Sequence, residues 1–132
     1  MSWSGVKKQV NKVEIESWCE EMGIENYNVN SKGEIDVNGN VYLNYKYFRE
    51  LPYKFGRVNG FFNMNRNENL TSLKNCPDYV SLSFSCDKCP QLDSLEGCPK
   101  EVGTKFFCRN CKREFTEKEV RSLCEVKNDI WC

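Results

Sequence analysis

One stretch of the chain repeats itself without a gap. Phe62–Pro77 superimposes on Phe84–Pro99 at a single fixed offset, so that Leu70 falls on Leu92, Leu73 on Leu95, Cys76 on Cys98 and Val80 on Val102. The same offset carries Phe84 to Phe106, where a third copy opens and sets Cys108 under Cys86 and Cys111 under Cys89. An earlier copy begins at Val41-Tyr42-Leu43. Its Phe48–Leu51 arm lies at the same offset before Leu70–Leu73, while its strand is one position closer to Phe62, so this coil is short by one residue at the turn. A fixed short period is a strong constraint. Each unit exposes an apolar edge that only the next unit can cover, so the units must stack.

A period of about 20–29 residues with leucines at these spacings is the pattern of a leucine-rich repeat. The Phe-x-Cys or Phe-x-Met segment alternates as a short strand with its first and third residues inward. The Asn or Cys that follows (Asn67, Cys89, Cys111) marks the turn, where its side chain can satisfy a buried backbone group of the neighbouring coil. The expected fold class is an α+β repeat protein: a short leucine-rich-repeat-like solenoid of about four coils, one curved parallel sheet and a helix capping each end. Asn, Pro and Gly crowd the return arms, which predicts extended or 3₁₀ segments there.

The flanks read differently. Residues 1–10 are polar and expected to fray. Asn11 is placed to cap a helix through Val13 that presents Ile15, Trp18, Cys19 and Met22 on one face and ends at Gly23. Trp18 is expected as a core anchor. Glu34–Val37 alternates as a strand, and Asn38-Gly39 is a hairpin signal. After Cys111 the pattern stops. Thr116-Glu117-Lys118-Glu119 reads as a capping box opening a helix to about Cys124, with Val120, Leu123 and Cys124 inward. Val126–Cys132 is then a tail in which Ile130 and Trp131 dock on the last coil. The expected divisions are residues 1–27 for an N-terminal helical cap, 28–115 for the solenoid, and 116–132 for a C-terminal capping helix and tail.

Composition narrows the function classes. Lys plus Arg and Asp plus Glu number 19 each, so no global field draws in nucleic acid or an anionic membrane. The absence of histidine removes any Ser-His-Asp or Cys-His dyad. No carboxylate pair, Gly-rich phosphate loop or activated nucleophile is set by a motif, so a non-enzyme is expected. The start, Met1–Lys8, shows no apolar h-region, and no run reaches the roughly 18 apolar residues that span a bilayer. A cytoplasmic protein with reduced cysteines, making no membrane contact, is the expectation.

The candidate site is the solvent face of the strands, the usual binding surface of a repeat protein. Three columns cross it, and from them the expected partner-binding residues are Tyr42, Phe61, Asn63, Asn65, Ser85, Asp87, Lys105, Phe107 and Arg109. Exposed aromatics and arginine are the side chains that most often carry interface energy. A slip of one position would turn all of them inward.

Two alternatives stay open. Cys86-x-x-Cys89 and Cys108-x-x-Cys111 have the spacing of a four-cysteine zinc site, which would make zinc the cofactor and nucleic acid the partner; the first reading has no cofactor and no metal. The repeat argues otherwise, because the preceding copy holds Met64 and Asn67 at the same positions and the period alone generates the spacing. Separately, the run Lys105–Arg113 interleaves cations with Phe106 and Phe107. Lys105, Arg109, Lys112 and Arg113 could therefore contact phosphates directly.

Asn38-Gly39-Asn40-Val41, Leu51-Pro52-Tyr53-Lys54-Phe55-Gly56-Arg57-Val58, Leu70-Thr71-Ser72-Leu73 with Cys76-Pro77, and Leu92-x-Ser94-Leu95-Glu96-Gly97-Cys98-Pro99 resemble small leucine-rich-repeat-like proteins encoded by tailed bacteriophages. The resemblance covers about residues 11–130. The chain departs from that family at Cys89 and Cys111, where Asn is more usual, and in its cysteine-rich second half. The resemblance implies a protein of the infected host's cytoplasm that occludes a host protein or ribonucleoprotein. The sharpest expectation is an anti-defence inhibitor of a complex such as a CRISPR-Cas effector.

Overall fold

The computed structural model describes residues 3–132, with side chains from Asn11 onward. Helix α1 spans Trp3–Glu21. It does not start at Asn11: Lys7, Lys8 and Gln9 are good helix formers and the helix runs on through them to Trp3. The segment expected to fray is thus helical from Trp3; Met1 and Ser2 lie outside the described residues. The other end stops as expected. Gly23 takes a left-handed φ of 73°, its N–H donates to the Glu20 carbonyl at 3.1 Å, and the Ile24 N–H donates to the Cys19 carbonyl at 2.9 Å. Together these bonds form a Schellman stop, with Ile24 and Cys19 both buried beside it.

Next comes a true hairpin: β1 (Tyr27–Val29) pairs antiparallel with β2 (Ile35–Val37). Asn38-Gly39 does not join two paired strands. It is a corner that carries the chain from β2, in one sheet, to β3 (Val41–Tyr42), in another. The freedom that suits Asn-Gly to hairpins suits this corner equally, and stacking decides which is built.

From there the chain winds as a parallel β-solenoid of about four turns, with a helix at each end. Each turn contributes one strand to each of two sheets. Strands β4 (Phe55–Val58), β6 (Tyr79–Val80), β8 (Glu101–Val102) and β10 (Glu125–Val126) extend the hairpin into a six-stranded sheet A. Strands β5 (Phe62–Asn63), β7 (Phe84–Ser85), β9 (Phe106–Phe107) and β11 (Ile130–Trp131) join β3 in a five-stranded, wholly parallel sheet B. The sequence pattern revealed sheet B alone. Strands of sheet A such as β6 and β8 are only a pair of residues long and bury one side chain each, so they offer no alternation to read, although Val58, Val80 and Val102 had coincided in the repeat. The return arms between Leu43 and Lys100 contain turns and extended chain, with no helix.

Phe62, Phe84 and Phe106 pair in register across sheet B and are fully buried. Their ring centroids lie 6.0 Å apart for the first pair, stacked, and 5.1 Å apart for the second, tilted. Phe55 meets Phe62 edge-on at 5.1 Å, and Trp18 reaches Phe55, Phe48 and Tyr53 at 5.6–6.0 Å. One row of aromatic rings therefore runs from α1 through the stack. In the first coil Val41 stands at the position the later coils give to phenylalanine, and Phe55 from sheet A packs edge-on against Phe62 beside it.

The winding does not end at Cys111. Helix α2 (Glu117–Leu123) replaces one return arm, and β10 and β11 complete another coil on β8 and β9, with Val126 paired to Val102 and Ile130 to Phe106. The offset is slightly longer than in the coils before it. The capping box forms: Thr116 Oγ1 accepts from Glu119 N–H at 3.1 Å, and Thr116 N–H donates to Glu119 Oε1 at 3.2 Å. Val120 and Cys124, one turn apart, are buried, but Leu123 faces solvent. So short a helix offers the last coil too narrow a stripe to take a third side chain. No helix among the described residues is long and apolar enough to cross a membrane.

Candidate functional site

The register of sheet B is the one expected. Phe62, Phe84 and Phe106 point inward, so their successors Asn63, Ser85 and Phe107 point outward, in one column with Tyr42 and Trp131. Tyr42 is 56% exposed, Phe61 41% and Trp131 46%. Over this face lies an open groove of about 620 Å³. Eight of the nine expected residues line it: Tyr42, Phe61, Asn63, Ser85, Asp87, Lys105, Phe107 and Arg109. Asn65 is outside its lining.

The polar members are not equally free. Asn65 Oδ1 accepts from Asp87 N–H at 2.9 Å, and Asp87 Oδ1 accepts in turn from Arg109 N–H at 2.6 Å. Each of these side chains thus satisfies a backbone donor of the next coil. The buried Asp87 carboxylate also takes Arg109 Nη2 at 2.8 Å and Nε at 3.3 Å. This pairing raises the Arg109 pKa, while the guanidinium carbon sits 5.2 Å from the Phe107 ring centre. Asn65 and Asp87 therefore hold the face together, and Asp87 and Arg109 largely cancel each other's charge. Of the remaining cations in the basic run, Arg113 grips Glu119 at 2.7 Å and lies over Phe115, and Lys112 is 3.8 Å from Asp93. Two arginines with phosphate-binding geometry are thus occupied by carboxylates of their own chain.

Beside the groove, each turn leaving sheet B uses a left-handed residue at the same place: Tyr45 (φ 58°), Arg66 (58°), Lys88 (58°) and Asn110 (57°). For residues with a Cβ this costs about 1–2 kcal/mol each. The inter-coil bonds Tyr45 N–H to Asn65 O, Arg66 N–H to Asp87 O and Lys88 N–H to Arg109 O, 2.8–3.1 Å long, offset it.

The residue after each such turn forms a ladder. Asn67 Nδ2 donates to Leu43 O at 2.9 Å; Cys89 Sγ donates to Met64 O at 3.3 Å; Cys111 Sγ donates to Cys86 O at 3.2 Å. Each closes on the coil before it. Cys86 and Cys108 occupy the inward strand position and are buried. The four cysteines with zinc-like spacing thus divide between two roles, two packed in the core and two bonded to carbonyls, and among the described residues no three ligating side chains converge. All nine cysteines are free thiols. Burial pushes Cys89 up to about 11 and raises Cys86, Cys108 and Cys111 as well, which keeps these thiols protonated at neutral pH.

Sequence reasoning missed three contributors to the face. Asn128 and Thr104 line the groove, and Trp131 extends the aromatic column. Asn128 and Trp131 belong to the last coil, whose longer offset hides it from a search at the period of the others. Thr104 pairs with Ser83 through hydroxyls 2.7 Å apart. Compared with protein-family models, curated proteins and solved structures, the chain matches none.

Proposed function

We propose that the protein is a non-enzymatic binding module that takes a protein partner on the face of sheet B. One observation carries this reading. Tyr42, Phe61 and Phe107 stand outward above a core that already has its aromatics, and they share one groove with Asn63, Ser85, Lys105 and Arg109. Aromatic side chains held outward on rigid strands supply contact area at little entropic cost. The partner is a host protein or ribonucleoprotein, with a defence complex such as a CRISPR-Cas effector foremost; that setting rests on the sequence resemblance to phage proteins alone. The test is affinity capture with mass spectrometry, using the wild-type chain and a Tyr42→Ala/Phe107→Ala variant. A partner retained by the first and lost from the second, with unchanged circular dichroism, is the expected result. Equal recovery by both would move the site elsewhere.

A further inference from the structure

We infer that Cys132 and Cys108 form a reversible disulfide by exchange with a low-molecular-weight disulfide such as oxidised glutathione, and that this bond fastens the last coil to the one before it. The register carries the pair. Ile130 lies beside Phe106 and Trp131 beside Phe107. One step on, the Cys108 N–H donates to the Trp131 carbonyl at 2.8 Å, which brings Cys132 alongside Cys108. Neighbouring strands run about 4.8 Å apart, and a disulfide needs its Cα atoms about 4.4–6.8 Å apart. Both side chains also leave on the same side. Phe106 and Cys108 are buried while Phe107, between them, lines the groove over sheet B. Cys132 holds the place of Cys108 in the same alternation on the next strand. The two cysteines line one open groove of about 440 Å³. Cys111 lines it too, but its Sγ is turned back to the Cys86 carbonyl at 3.2 Å.

Access sets the order of events. Cys132 is exposed, and the other eight cysteines are buried or half-buried. The Cys132 thiolate attacks one sulfur of the small disulfide. That S–S bond breaks, a mixed disulfide forms on Cys132, and one small thiol leaves with the proton Cys132 gave up. Cys108 Sγ then releases its own proton and attacks the Cys132 sulfur, and the second small thiol leaves carrying that proton. Two protein thiols become one disulfide while one small disulfide becomes two thiols, so atoms and electrons balance. Burial first, and the charge of Cys132 after it, raise the Cys108 thiol above its ordinary range. Capping Cys132 removes the second effect but not the first, so closure is slow at neutral pH and quickens as pH rises. The bond acts on the end of sheet B. Strand β11 is an edge strand, held to β9 through the Asp129 and Trp131 carbonyls, and sparsely supported segments of this kind open first. Closure keeps Trp131 beside Phe107 in the outward aromatic column. Exposed disulfides are readily reduced, which makes this one a latch and not a permanent staple.

Reduced protein treated with oxidised glutathione, at neutral and at mildly alkaline pH, tests the pairing by mass spectrometry and peptide mapping. A glutathione adduct on Cys132 is expected first, followed by an internal Cys108–Cys132 bond that forms faster at the higher pH and reopens in reduced glutathione. Amide exchange at the Cys108 N–H is expected to slow at least about tenfold in the closed form, since that N–H is freed when β11 opens. Cys132→Ser, at an exposed position, should abolish both the adduct and the bond. Cys108→Ala should keep the adduct and never close it. A lasting Cys132 adduct in the wild type, a bond mapped to Cys111 or any other cysteine, or a disulfide between two molecules overturns the pairing. A bond that excess reduced glutathione leaves intact overturns its reversibility, and unchanged exchange at Cys108 overturns its hold on β11.

Discussion

Asp87 shows how a side chain that looks like a binding residue can be a structural one. Its carboxylate accepts from the backbone and the guanidinium of Arg109, both in the next coil. Asp87→Ala is expected to destabilise the fold by about 1.5–3 kcal/mol, the range for losing hydrogen bonds to a charged group, seen as a lower melting temperature. Asn67 makes a second case. Fully buried, it donates to the Leu43 and Met64 carbonyls and accepts from Lys46 N–H. Asn67→Ala leaves those groups unpaired and should cost about 2 kcal/mol or more. Asn67→Cys should cost measurably less in urea titrations, because Cys89 and Cys111 already do the equivalent work one and two coils on. The thiols also differ in access. Cys132 is the exposed cysteine and the other eight are buried or half-buried, so a thiol reagent should label one site rapidly in the native protein and all nine after denaturation.

At the scale of the element, α2 is short enough that its cap matters. Thr116, Glu119 and Arg113 form one network, in which the Arg113 guanidinium first, and the Thr116 backbone after it, hold the Glu119 carboxyl below its ordinary range. A carboxyl whose folded pKa is depressed contributes stability that is fully present above its unfolded pKa, about 4.3. That contribution is lost as pH falls through the lower folded value. Wild type and Glu119→Gln should therefore differ in melting temperature at neutral pH and converge in acid. The same network ties one cation of the basic run to the fold: Arg113 pairs with Glu119 where the last coil meets the helix. The capping box and the glycine stop of α1 were legible because each is a local exchange of hydrogen bonds between neighbours in sequence. The start of α1 and the outward turn of Leu123 were not, because nothing local distinguishes them.

Across the whole molecule, stability is shared between neighbouring coils. Phe84 lies between Phe62 and Phe106 in the aromatic row. Phe84→Ala should cost about 3–5 kcal/mol, and the loss should appear in one cooperative transition, since both halves of the stack rest on that ring. Gly103 acts at the same scale. A Cβ there would press into the Ser81 carbonyl of the preceding coil, so Gly103→Val should force neighbouring turns apart and lower the melting temperature. The repeat alone determined that coils stack, which residues recur at equivalent positions and that Asn and Cys seal the turns, and it left the inward-outward register of sheet B open to a slip of one position. These follow from the constant period that carries Phe62 to Phe84 and Phe106, and from the in-and-out alternation of a strand, both properties of order along the chain. Tertiary structure decided the second sheet, the last coil on β10 and β11, the role of Asn38-Gly39 as a corner, and the engagement of Asp87, Arg109 and Arg113 within the chain. Each depends on which coil lies above or below. Such partners are a whole repeat apart along the chain yet only one strand spacing apart through space, and no local pattern of residue types records that contact.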